Sequence, residues 1–170
     1  PTAGAGNVTF TSGSQVDSQN GTFGATSVGA ERNNLLIDAG DGLVTFNANI
    51  GQTQRLGMLT VDRAQAGVVF GAADAAGVGG ADVVTLVSTD GAIDIGSGMN
   101  TADVIGGVGI VFNGGSVGTL TVQTSEDDIR LNGRVFLQSN LTLDTDEGAA
   151  TTPTAGAGNV TFTSGSQVDS

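Results

Sequence analysis

The sequence predicts an all-β protein, a right-handed parallel β-helix (β-solenoid), on three observations. Residues 153–170, PTAGAGNVTFTSGSQVDS, repeat residues 1–18 letter for letter, a period of 152 residues. Within that period a shorter pattern recurs: apolar–x–apolar, a few turn residues, then apolar–x–apolar again. No stretch carries apolar residues at helical spacing over a dozen positions, and 29 glycines in 170 residues are too dense for helix interiors. A fixed internal period is the signature of a stacked repeat architecture. The right hand follows from the general rule for parallel crossovers.

The triplets alternate with period two and are rich in β-branched residues, so each reads as a short strand. The leading member of each pair is Leu35-Leu36-Ile37, Leu59-Thr60-Val61, Val84-Thr85-Leu86, Leu120-Thr121-Val122 or Leu141-Thr142-Leu143. The trailing members are Val8-Thr9-Phe10, Val44-Thr45-Phe46, Val68-Val69-Phe70, Ile93-Asp94-Ile95, Ile110-Val111-Phe112 and Ile129-Arg130-Leu131. Asp, Asn, Ser and Gly between them read as turns. First and third residues of every triplet are expected to point inward as one continuous column. Outward positions then include Thr45, Thr60, Thr85, Thr121 and Thr142. Leu35 to Leu59 and Val44 to Val68 are both 24 residues, and Leu59 to Val84 and Val68 to Ile93 are both 25. Two strand series sharing one spacing suggest coils stacked in register, about six or seven per repeat and roughly 30 Å of rise. Two longer excursions are expected, at Gln15–Asn34 and Thr145–Gly158.

Residues 1–152 therefore read as one repeat and 153–170 as the start of the next. Val160 and Phe162 mark the junction, where they should cover the last coil near Leu131 and Leu143. The expectation is head-to-tail continuation, with 153–170 taking at the start of the next repeat whatever conformation 1–18 take at the start of this one. One coil cannot bury its apolar face alone, so stability grows by stacking neighbours.

The five basic residues are all arginine, and residues 1–152 hold 16 of the 17 acids (Asp169 is the exception), giving 5 − 16 = −11 per repeat. Such charge disfavours nucleic acid and anionic membranes as partners. No apolar run reaches the roughly 18 residues of a membrane span. There is no cysteine, histidine, tyrosine or tryptophan. That removes thiolate chemistry and disulfides and leaves only carboxylates for acid–base work.

The phrases LLIDAGDGLVTFNANIG (35–51), LGMLTVDRAQAGVVFG (56–71), VSTDGAIDIGSG (87–98), IGGVGIVFNGG (105–115) and IRLNGRVFLQSNLTLDT (129–145) resemble the repeat arrays of giant bacterial surface proteins. Those arrays are similar to the shaft of filamentous-haemagglutinin-type adhesins. The resemblance implies a right-handed parallel β-helix and a secreted fibre, adhesin stalk or matrix component, extracellular or on the cell surface.

Three clusters bear on chemistry. Glu126-Asp127-Asp128 has the composition of a paired-carboxylate glycosidase site, but also that of a solvated turn before a strand, which is the reading adopted. Asp144, Asp146 and Glu147, followed by Gly148, resemble part of a calcium loop, yet lack the distal glutamate of the helix–loop–helix pattern. Structural calcium is the only cofactor they suggest. Gly77–Asp82 falls short of the nonapeptide calcium repeat. Gly106-Gly107-Val108-Gly109 has no lysine and no following helix, so it is not a phosphate loop. The threonine row is explained by β-propensity rather than ice binding. Asn47, Asn113 and Asn132 are expected to stack as a corner ladder. The sequence thus points to a non-enzymatic structural repeat whose partners are copies of itself, in covalent tandem or stacked head to tail. The alternative is an adhesin-type module binding a surface glycan or cell, and a polysaccharide-acting enzyme comes third.

Overall fold

The structure is a computed structural model that describes residues 6–18, 32–71, 84–96, 105–115, 118–146, 157–163 and 166–170. Among these residues the protein is all-β, without an α-helix and without a helix long and apolar enough to cross a membrane. The strands are β1 (Val8–Phe10), β2 (Leu35–Asp38), β3 (Leu43–Phe46), β4 (Leu59–Arg63), β5 (Gly67–Phe70), β6 (Leu86–Ser88) and β7 (Ile93–Ile95). They continue as β8 (Ile105–Phe112), β9 (Thr119–Gln123), β10 (Ile129–Leu131), β11 (Gly133–Leu137), β12 (Asn140–Asp144), β13 (Val160–Phe162) and β14 (Val168–Asp169).

Every pairing between these strands is parallel, and they form three sheets. Sheet 1 runs β1-β3-β5-β8-β11-β14, sheet 2 runs β2-β4-β7-β10-β13, and sheet 3 runs β6-β9-β12. Single parallel bridges Val16–Ile50 and Ile50–Val87 extend sheet 3 downward. The chain visits sheet 2, then 1, then 3, and repeats that circuit. Three short strands per circuit turn through tight corners, which is why glycine is abundant. Gly51 sits at φ 69°, and a Cβ there would strike the Ser88 carbonyl of the circuit above. At another corner Gly91 N–H donates to the Gly57 carbonyl and Gly57 N–H to the Asn33 carbonyl. Side chains would separate these stacked backbones.

The core lies between the sheets. Ile37, Val44, Phe46, Leu59, Val61, Val68, Phe70, Val84, Ile93, Ile95, Ile110, Phe112, Leu120, Val122, Ile129 and Leu131 are buried. In-register parallel pairing places like on like. Phe10, Phe46, Phe70 and Phe112 stack with centroids 5.0, 5.0 and 5.2 Å apart and planes within 9°. The ring spacing is close to the strand spacing, so one hydrogen-bond register produces the ladder. Val8, Phe10, Leu35, Leu141 and Leu143 are only partly buried, and all belong to the outermost strands of their sheets or pair with them.

The structure corrects the sequence reading in four places. Leu86 is not inward: it pairs with the outward Thr121, and Val87 beside it is the buried residue. The 24-residue spacings Leu35–Leu59 and Val44–Val68 are true in-register pairs. The 25-residue ones are not, because Ile93 stacks on Leu59 and Val68 on Ile110. With three strands per circuit and inserts between them, the described residues of 1–152 supply five strands to sheet 1, against the six or seven coils expected. Asn47 and Asn113 follow strands of sheet 1 and Asn132 a strand of sheet 2, so they do not share one ladder.

Val61→Asp and Phe70→Asp each place an unpaired carboxylate in this core and are expected to cost about 3 kcal/mol or more. Thr60→Asp, on the outer face, should stay within about 0.5 kcal/mol. Denaturant unfolding of the three variants checks this, and equal losses would mean that the inward face is misassigned.

Candidate assembly interface

The sheets end at two sets of strands. The lower set is β1, the Val16 bridge and β2; the upper set is β12, β13 and β14. Residues 6–18 build part of the lower set, and their identical copy, residues 158–170, part of the upper. The copies do not occupy the same sheets. β1 lies in sheet 1 against β3, with Val8 opposite Val44 and Phe10 opposite Phe46, and Val16 reaches Ile50 of sheet 3. β13 lies in sheet 2 against β10, with Val160 opposite Ile129 and Phe162 opposite Leu131, and β14 lies in sheet 1 against β11. Val160 and Phe162 thus pair with the strand that holds Leu131, while Leu143 lies in sheet 3. What the two copies keep is their own turn. Ser14 N–H donates to the Thr11 carbonyl and Ser166 N–H to the Thr163 carbonyl, each at 2.8 Å.

The lower copy bonds upward. The Phe10 carbonyl accepts from Asn47 N–H (2.9 Å), the Val16 carbonyl from Gly51 N–H (2.8 Å), and Ser18 N–H donates to the Gln54 carbonyl (3.2 Å). Asn7 Oδ1 accepts from Leu43 N–H at 3.0 Å, and Asp17 Oδ1 from Thr53 N–H at 3.1 Å. The upper copy bonds downward. The Asn159 carbonyl accepts from Ile129 N–H (2.9 Å), Thr163 N–H donates to the Leu131 carbonyl (3.2 Å), and the Gln167 carbonyl accepts from Val135 N–H (2.6 Å). Asn159 Nδ2 donates to Asp128 at 3.2 Å, and Arg134 Nη2 pairs with Asp169 at 3.1 Å. Strand β11, which carries part of this seat, escaped the sequence reading because Val135-Phe136-Leu137 is an apolar run without alternation.

Each arginine faces an aspartate of another circuit. Arg63 pairs with Asp38 (3.1 Å), Arg130 with Asp94 (2.6 Å) and Arg134 with Asp169 (3.1 Å), while Arg32 and Arg55 both face Asp90. The hydrogen bond from Arg63, helped by Gly40 N–H, holds the Asp38 carboxyl below its usual range and raises Arg63. Burial, with Arg32 nearby, pushes Arg55 down.

Among the described residues no group of three metal-ligating side chains comes together. Asp144 Oδ1 accepts from Asp146 N–H at 3.0 Å, closing its own turn. Glu147 and Gly77–Asp82 lie outside the described residues. Asp127 gives its carbonyl to the Thr124 hydroxyl, and Asp128 gives its carboxylate to Asn159, so this acidic stretch serves the turn and the junction. Gly106–Gly109 runs within β8. A polar cleft of about 180 Å³ opens between Ser12, Ser14, Gln15, Asp17, Asn49 and Gln52, without an aromatic lining. No family model, no curated protein and no solved structure matches this chain.

In a carbon-detected NMR titration the Asp38 carboxyl is expected to titrate below the ordinary aspartate range, and Arg63→Ala should return it toward that range. Asp144→Asn keeps an oxygen for the Asp146 N–H, so its melting temperature should match the parent's with and without chelator. A drop specific to chelator in the parent would place calcium at this turn.

Proposed function

We propose that this chain is a repeat of a right-handed β-solenoid that continues end to end into a secreted or cell-surface filament or adhesin stalk, with no catalytic role of its own. The observation that carries the reading is the upper seat. A segment with the sequence of residues 6–18 already sits on β10 and β11, in parallel register, as the first strands of a following unit would. The partly buried leucines and phenylalanine of the core gather at the sheet ends, where a further circuit would cover them. Val160, Phe162 and Val168 are exposed there as well. A sheet end left open presents unpaired backbone groups, and more of the same strand is their natural complement.

A stalk also fits what the side chains are used for. All five arginines tie one circuit to another. Four of the phenylalanines form the internal ladder, and the Arg134 guanidinium covers the ring of Phe136 at 4.9 Å. Sugar-binding surfaces stack substrate on open aromatic faces, and the described outer faces offer none beyond that covered ring.

Chains carrying two, three and four copies in tandem should form rods whose length grows in proportion to copy number. The increment is expected to be roughly 22–24 Å per copy, about five strand spacings. Small-angle scattering measures it. Independent beads, with a radius of gyration that grows as a flexible chain does, would overturn the reading.

A further inference from the structure

Taking the end-to-end reading as its premise, we propose that successive repeats are joined with a rotation of one sheet. Sheet 1 of each unit stands on sheet 2 of the unit below, sheet 3 on sheet 1, and sheet 2 on sheet 3. The interaction surface is the upper set of edges, and its occupant is the next copy of this chain.

One sequence occupies two different seats. Seen from below, the junction segment sits on β10 and β11, in sheets 2 and 1. Seen from above, it lies under β3 and Ile50, in sheets 1 and 3. If one segment fills both seats at once, the upper unit is turned by one sheet relative to the lower.

Nothing in the hydrogen bonding prevents double occupancy. The upward bonds use the backbone of Phe10, Val16 and Ser18. The downward bonds use Asn159, Thr163 and Gln167, which repeat Asn7, Thr11 and Gln15. The two sets are disjoint, as they must be in a strand with a neighbour on each side. The asparagine is shared in the same way. As Asn7 its amide oxygen accepts from Leu43 above, and as Asn159 its amide nitrogen donates to Asp128 below. The Thr11–Ser14 turn is the same in both seats, so the segment does not refold to change them.

The glycine at its start agrees. A Cβ on Gly6 would meet open space, whereas one on Gly158 would collide with the Asp127 carbonyl. Glycine is required at this position only where a unit lies underneath.

The rotation also closes the third edge. From β1 to β13 the described residues make fourteen sheet visits: the twelve strands β1–β12 and the bridging positions Val16 and Ile50. Fourteen visits at three per circuit is 4⅔ circuits, one sheet short of five. The next strand in order, β2 of the upper unit, then falls on sheet 3, over β12. Both strands bear half-buried leucines at their open sides, Leu35 on one and Leu141 and Leu143 on the other. Stacking Leu35 on Leu141 and Ile37 on Leu143 keeps inward over inward. Three repeats restore the starting orientation, after about 67 Å at one strand spacing per circuit.

The chain lacks cysteine, so introduced pairs report cleanly. In a chain of two complete repeats followed by the 18-residue segment, three pairs are made separately. They are Arg130→Cys of the first copy with Thr9→Cys of the second, Thr9→Cys with Thr45→Cys of the second, and Thr142→Cys of the first with Leu36→Cys of the second. All three join outward positions on adjacent parallel strands, within disulfide reach, and all three should oxidise to near completion. An unrotated junction would instead place β2 over the junction strand. Thr9→Cys with Leu36→Cys of the second copy would then close, while Thr9 with Thr45 and Thr142 with Leu36 would stay open. That result overturns the rotation but leaves the rod, and hence the end-to-end reading, intact. Two separate beads in scattering, with no inter-copy cross-link, would overturn both.

Discussion

Parallel, in-register strand pairing is the constraint on which the rest of this structure depends. Each backbone ladder fixes the spacing between circuits near the strand spacing, and every side chain inherits it. The phenylalanine ladder is the plainest consequence. Rings about 5 Å apart and almost coplanar are a spacing that stacked aromatics accept, at about 0.5–1.5 kcal/mol per pair beyond area burial. The same ladder brings glycine corners into backbone contact, and there a single Cβ would push two circuits apart.

Charge follows the same geometry. Residues 1–152 carry a formal charge of −11, which sets stacked circuits against one another. The few arginines stand where they oppose this, each facing an aspartate of another circuit. Individually such half-exposed pairs contribute little. Their value is in register: Asp94 meets Arg130 and Asp38 meets Arg63 only in the observed alignment.

In the proposed end-to-end continuation, one short sequence would serve two neighbours. Alternate residues of a strand direct their backbone groups to opposite sides, so the segment can be fully paired above and below without competition. Its side chains divide the work in the same manner: asparagine offers an acceptor one way and a donor the other. A segment built like this specifies the relation between units more tightly than an apolar patch would.

The sequence alone determined the all-β class, the parallel stacking suggested by the two 24-residue spacings, the inward positions of most triplets and the identity of residues 153–170 with residues 1–18. These are local: period-two alternation and turn residues act within a few positions of themselves. Three features were decided only by tertiary structure. The number of strands per circuit depends on which triplet stacks on which, and loop inserts hide that from spacing, as Ile93 over Leu59 shows. The inward role of Val87 rather than Leu86 depends on a register set by β9. The sheet on which the repeated segment sits depends on the edges offered to it, because Val-Thr-Phe meets Val44-Thr45-Phe46 and Ile129-Arg130-Leu131 equally well in pattern. A strand carries its inward face in its own sequence, but the partner beside it is supplied by the rest of the fold.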